Sequence, residues 1–166
     1  MSGENVALVR RWFEEVWNKG RAEAIEEMFD EEGVAHGLAD ESGAELRGPA
    51  HFRAFHGRFR EAFPGVEVVV EDAISEGDRV AARCTVRARH EGDSLGFAAT
   101  RRPVEFTGMT FARVRGGKIV EAWNNFDFMA LFVQIGAVEM RQPAAGGGAA
   151  ADDAAANERG RPEGDV

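Results

Sequence analysis

The chain has 166 residues, enough for one domain with a real core and short for two. Its 20 Lys and Arg against 29 Asp and Glu leave a formal charge of −9, which argues against a nucleic-acid partner, because that function needs a basic face to displace counterions from phosphates. No apolar run approaches the ~20 residues that span a bilayer, no signal-peptide pattern opens the chain, and the lone Cys84 permits neither an internal disulfide nor a thiolate metal cluster, so a reducing cytoplasm is the default compartment.

In chain order, residues 5–18 predict an amphipathic helix. Val6, Val9, Phe13, Val16 and Trp17 share one face at helical spacing, and Asn18 and Gly20 supply the stop. A short second helix carries Ile25, Met28 and Phe29, and 34–37 reads as a short strand. Gly48-Pro49 opens a third helix whose core stripe is Phe52, Phe55, Phe59 and Phe63, with Pro64 as its end. The rhythm then changes to period two. Residues 66–74 and 79–90 are strands joined by the turn Glu76-Gly77-Asp78. Along the second of them, Val80, Ala82, Cys84, Val86, Ala88 and His90 form one face. Arg79, Arg83, Arg87 and Arg89 lie on the other, opposed by Glu67 and Glu71 of the neighbouring strand. That arginine row reads as a solvated or subunit-facing surface rather than a phosphate stripe. A strand over 103–115 turns at Gly116-Gly117 into the last strand, 119–127, and 128–136 is a short apolar helical segment. From Gln142 the composition becomes Ala- and Gly-rich, so 142–166 is expected to be a disordered tail and 1–141 the folded unit. The order of elements gives an α+β domain. Three helices pack on one face of a curved antiparallel sheet, a cone whose open end can hold a small molecule.

A tight turn at Gly116-Gly117 serves as a ruler for the last hairpin. It pairs Val114 with Ile119, Thr110 with Trp123, Gly108 with Asn125 and Phe106 with Asp127. On that register Gly108 leaves volume beside Asn125 and Asp127. His90, set beside Phe106, comes within about 10 Å of Asp127, backbone to backbone. Asp127 then has two readings. It is an acid/base carboxylate whose pKa Phe106, Trp123 and Phe126 raise by desolvation, or it is the N-cap of the end helix. His90 is a pocket imidazole or a rim histidine bonded to backbone, and His36 is a further cavity candidate from the first strand. Asp72 falls roughly 26 Å from His90 along the strand and stays outside this group. His51 and His56 point about 140° apart on their helix. With no HExxH-like spacing, no metal is expected, and neither a phosphate loop nor a Ser-centred nucleophile elbow is present.

Several of these segments together resemble a known family. They are VRRWFEEVWN at the start, Gly48-Pro49 with Phe52 and Ala62-Phe63-Pro64, the Glu76-Gly77-Asp78-Arg79-Val80 turn, His90-Glu91-Gly92, and 104–108. The most specific is Gly117-Lys118-Ile119-Val120-Glu121-Ala122-Trp123 followed by Asp127. The pattern is similar to the SnoaL-like polyketide cyclases of the nuclear-transport-factor-2-like (NTF2-like) superfamily, over nearly all of 1–141. The resemblance implies a cone-shaped α+β barrel and a homodimer through the outer sheet face. It also implies intramolecular aldol cyclisation of a hydrophobic, carbonyl-bearing polyketide ester, with neither cofactor nor metal. On it Asp127 matches the general acid/base and His90 a pocket histidine; the hairpin register adds the expectation that Asn125 assists His90 at the carbonyl. The strand faces read above add His36, Phe106, Gly108 and Trp123 as the expected substrate-binding residues.

Two alternatives remain. Ketosteroid-isomerase-like proton transfer also uses a carboxylate, but the known example builds its oxyanion hole with a Tyr, and this chain has none. A non-catalytic ligand-binding or dimerisation module is the other. An open cavity with Asp127 and His90 inside marks the enzyme; Asp127 spent on backbone N–H groups marks the binder.

Overall fold

Helical spacing before Pro64 and alternation after it translate into the expected α+β arrangement. The computed structural model describes residues 2–141, and the expected tail at 142–166 lies outside the described residues. Helix α1 (Ser2–Trp12) runs without a break into a wider, π-helical turn over Phe13–Asn18. There Lys19 N–H donates to the Glu14 carbonyl at 2.9 Å, and Phe13, Val16 and Trp17 are all buried. The remaining elements are α2 (Glu23–Met28), β1 (Phe29–Ala39), β2 (Glu45–Arg47), α3 (Gly48–Ala62), β3 (Glu67–Glu76), β4 (Arg79–Arg89), β5 (Pro103–Arg115), β6 (Lys118–Phe126) and α4 (Phe128–Gln134). Strand β1 is longer than the segment its sequence predicts. Strand β2, three residues long, is too short to carry an alternation signal.

The sheet runs β2-β1-β6-β5-β4-β3. Strand β1 lies parallel to β6 and every other neighbour pair is antiparallel, so the sheet is mixed where the sequence predicts an antiparallel one. Helix α3 starts where Gly48 takes φ 74°, a left-handed conformation, with Pro49 next in its first turn. Its Phe52 and Phe59, and Phe63 just past its end, are buried. Trp12 meets Phe52 edge-on at 5.0 Å and Trp17 meets Phe59 at 5.6 Å, joining α1 and α3 over the concave face.

The last hairpin departs from its predicted register at one residue. Val114 pairs with Ile119 as expected, but Arg113 then pairs with Glu121, so Val120 is an extra, bulged residue. Beyond it Thr110 opposes Asn124 rather than Trp123, and Gly108 opposes Phe126 rather than Asn125. Because side chains alternate along a strand, one residue exchanges the faces. Ala122, Asn124 and Phe126 are concave; Glu121, Trp123 and Asn125 are convex. The neighbouring ladder is also displaced. Val86, not His90, opposes Phe106, and β4 ends with Arg89 opposite Pro103. His90 therefore lies four residues, about 13 Å, along the strand from the position its expected role requires.

Candidate functional site

The concave face of the sheet, α1 and α3 enclose a narrow well of about 70 Å³ walled by Trp12, Trp17, Phe52, Phe106 and Phe126 among others. A wider cleft of about 710 Å³ shares Leu38, Phe55, Phe59 and Phe128 with it as walls and forms a vestibule. The chemistry of the two spaces differs. Among the described residues lining the well none is ionisable, and apart from the tryptophan indoles its polar side chains are Thr110 and Asn124. Thr110 Oγ1 donates to Asn124 Oδ1 at 2.9 Å, and Asn124 Nδ2 donates to the His36 carbonyl at 3.0 Å. Each side chain keeps unused capacity: a lone pair on the Thr110 hydroxyl, and the second N–H of the Asn124 amide. The backbone at Asn124 is held by the close approach of β1. Gly37 sits at φ 76°, and a side chain there would collide with the Asn124 carbonyl.

The vestibule rim carries the charged Asp40, Glu41, Arg58 and Asp93 and the polar Ser94. Asp40 folds its own loop. One carboxylate oxygen accepts from the Ser42 hydroxyl at 2.6 Å and from the Ser42 and Ala44 N–H groups at 2.8 and 3.0 Å; the other lies 2.8 Å from His51 Nε2. These bonds, the Ser42 hydroxyl first, hold the Asp40 carboxyl far below the usual carboxylate range. Glu41 pairs with Arg58 at 2.8 Å, and Ser94 Oγ donates to the Arg58 carbonyl at 2.6 Å.

Of the residues expected to act on or bind the substrate, Asp127, His90, His36, Phe106, Gly108, Trp123 and Asn125, only Phe106 lines the well. Gly108 lies on the concave side, but the Phe126 ring covers it and occupies the space a side chain would need. The volume expected beside it is therefore filled. Asp127 is exposed, and its carboxylate accepts from the Ala130 N–H at 2.9 Å as the N-cap of α4. Asn125 is exposed opposite Met109 on the convex face. Trp123 is convex too, stacked on His36 with ring centroids 5.2 Å apart. His36 faces away from the well. Its Nδ1 lies 2.5 Å from Glu45 and its Nε2 3.0 Å from Glu121, and these carboxylates, Glu45 first, raise its pKa.

His90 is fully buried just past β4 and borders neither space. Its Nδ1 accepts from the Thr100 N–H at 3.3 Å, its ring packs 5.3 Å from Phe63, and its Nε2 has no hydrogen-bond partner among the described residues. The expected convergence of His90 and Asp127 in the funnel does not occur, because the Val120 bulge turns the acid outward and the β4–β5 register carries the imidazole past the cavity. Among the described residues no group of His, Cys, Asp and Glu is arranged to hold a metal ion, and no helix is long and apolar enough to cross a membrane.

The family model of the SnoaL-like polyketide cyclases matches residues 7–135. The chain belongs to the SnoaL-like polyketide cyclase family. Solved structures agree with that membership. A proposed SnoaL-like polyketide cyclase from Jannaschia sp. CCS1 is 25% identical with a TM-score of 0.73, over 83% of this chain and 95% of that one. IdmH, a proposed polyketide cyclase from Streptomyces antibioticus, is 28% identical with a TM-score of 0.69, over 80% and 98%. AclR, a proposed hydroxylase from Streptomyces galilaeus, is 25% identical with a TM-score of 0.72, over 86% and 87%. No curated protein sequence matches the chain. The SnoaL-like chain thus has the nuclear-transport-factor-2-like fold, with its polar handle at Thr110 and Asn124. The predicted register pairs Thr110 with Trp123 and so misses Asn124, because nothing in Lys118-Ile119-Val120-Glu121 marks a bulge.

Proposed function

We propose that this protein seats a hydrophobic, carbonyl-bearing small molecule in the aromatic well and acts on it as a cyclase, closing a ring by intramolecular aldol condensation. The observation that carries the reading is a deep apolar well holding one neutral polar pair. Such a pair orients a carbonyl without the cost of burying a charge. In this reading the Asn124 N–H donates to the substrate carbonyl and stabilises the enolate oxygen as charge develops there. The aromatic walls fold the substrate so that the enolate carbon meets the second carbonyl. The C–H proton passes to a carboxylate at the rim, where the Asp93 side chain has no hydrogen-bond or ion-pair partner among the described residues. The new C–C bond leaves an alkoxide that takes the proton back. The same reading includes a homodimer through the convex face, where Met109 and Phe111 expose apolar surface, and light scattering on the intact chain checks it.

Turnover of a panel of polycyclic and linear poly-β-ketone substrates, followed by mass spectrometry, tests the proposal. Asn124→Leu should lower kcat/KM by about a hundredfold, the usual consequence of losing one oxyanion donor. Unchanged turnover would remove Asn124 from the mechanism.

A second reading has its own observation: Asp127 is spent on a backbone N–H, the arrangement of a non-catalytic binding module. Ligand binding with no turnover across the whole panel selects it.

A further inference from the structure

The vestibule holds a feature that the carbonyl chemistry of the well does not use. Arg58 is the only cation among the described residues lining either space. It shares the cleft with the rings of Phe55, Phe59, Phe128 and Phe132 and with the rim carboxylates Asp40, Glu41 and Asp93. Its side chain is half-buried, 26% exposed, and its one side-chain partner among the described residues is Glu41, met through a single nitrogen at 2.8 Å. Glu41 is 79% exposed on the loop between β1 and β2, so the pair is of the screened, exchangeable kind. A guanidinium offers five N–H donors in a fork that matches a carboxylate, and Glu41 occupies one corner of it.

The other rim groups are committed elsewhere or leave Arg58 in place. Asp40 is locked by Ser42, Ala44 and His51 and cannot substitute for Glu41. Ser94 ties the loop between β4 and β5 to the Arg58 carbonyl at 2.6 Å, which fixes the backbone from which the guanidinium extends. Asp93 adds a negative charge on the same rim and weakens any anion there without displacing it.

We propose that Arg58 is the anchor for a free carboxylate on the trailing end of the ligand, so that the site selects an apolar polycyclic acid over its neutral ester. This rests on the well-and-vestibule reading given above and adds the ligand's charge to it. The leading ring enters the well, the trailing carboxylate displaces Glu41 from the guanidinium, and Glu41 returns to water.

Three matched probes test the anchor: anthracene-2-carboxylate, its methyl ester and 2-(aminomethyl)anthracene. Binding is followed by quenching of tryptophan emission, since Trp12 and Trp17 wall the well. The wild-type chain should bind the acid about tenfold more tightly than the ester, the scale of one charge-assisted hydrogen-bonded pair. Arg58→Gln should reduce acid binding to the level of the ester and leave the ester unchanged. Glu41→Gln, which frees the guanidinium, should tighten acid binding alone. Equal affinity for acid and ester, or tightest binding of the amine, overturns the anchor while leaving the cavity reading intact. Failure of all three probes to quench overturns the cavity reading and the anchor with it. Unchanged thermal midpoints in both variants show that the comparison concerns binding and not folding.

Discussion

The two faces of β6 divide the protein's chemistry. On the concave face Ala122, Asn124 and Phe126 look into a well with no ionisable lining side chain among the described residues. On the convex face Glu121 meets His36 at 3.0 Å and Arg113 at 3.1 Å, and the Arg113 guanidinium stands 5.9 Å from the Trp123 ring. Charge lies where water reaches it, and the well keeps only a neutral polar pair, Thr110 and Asn124, with hydrogen-bonding capacity to spare. A carboxylate in the well would need a partner to offset its desolvation, and the aromatic walls offer none. The difference teaches that the well is lined for a neutral group, and that the charged side chains bordering the cavity stand at its mouth.

The largest test of this contrast uses one residue type on the two faces of one strand. Phe106 on the concave face of β5 is 5% exposed, and Phe111 on the convex face is 42% exposed. Phe106→Ala should cost about 3–5 kcal/mol in urea unfolding, the range for emptying a buried aromatic site. Phe111→Ala should cost under about 1 kcal/mol, as a surface change does. A Phe111 loss as large as that of Phe106 would mean that the convex face is covered in solution, as a homodimer through it requires.

Gly108→Ala sharpens the same boundary from the inside. The added methyl would collide with the Phe126 ring, which lies across Gly108. The ring must swing away from β5, and overpacking of this kind costs about 1–3 kcal/mol. A variant as stable as wild type would show that Phe126 moves freely and that the well is wider than it stands.

How much of this was legible beforehand depends on the length of each signal. Helix α3 announced itself through Gly48-Pro49, the Phe stripe and Pro64, and the long strands β3 to β6 through alternation and two glycine turns. These are repeated local signals, each carried by several residues. Strand β2 and the parallel placement of β1 beside β6 were not legible, because a three-residue strand has no period and strand neighbours far apart in sequence leave no local mark. The site failed for a narrower reason. A register counted from Gly116-Gly117 is right at Val114 and Ile119, and one bulged Val120 then inverts every later residue. Asp127, Asn125 and Trp123 exchanged places with Phe126 and Asn124 through that single step. Of the two readings the sequence left open for Asp127, the cap is the one its carboxylate makes.

That cap gives a smaller effect with a specific signature. Asp127→Ala removes the acceptor for the Ala130 N–H and should cost about 1 kcal/mol, whereas Asp127→Asn keeps an acceptor and should cost only a few tenths. Neither change should alter quenching by anthracene-2-carboxylate, because Asp127 borders neither the well nor the vestibule. If Asp127→Asn abolished turnover while leaving stability and binding intact, the division between the faces would break at that residue, since its carboxylate would then have to leave its cap to act.

The smallest effect is a pH dependence confined to the convex face. His36 bridges Glu45 of β2 and Glu121 of β6, and hydrogen bonds to these two carboxylates raise its pKa above that of an unfolded histidine. A group with a raised folded pKa binds its proton more tightly when folded. The stability it contributes is complete below its unfolded pKa, about 6.5, and is lost as pH rises through the higher folded value. Wild type should therefore exceed His36→Gln in urea midpoint at pH 5.5 by a margin that shrinks toward zero at alkaline pH. The His36 imidazole resonance should titrate above the value of an unfolded histidine. His56 supplies the internal control. It is buried against the Val16 carbonyl at 2.7 Å, and burial pushes its pKa down, so its resonance should titrate on the acid side. A margin that grew with pH, or a His36 resonance titrating below that of His56, would contradict the two-carboxylate bridge and with it the separation of charged and neutral faces along β6.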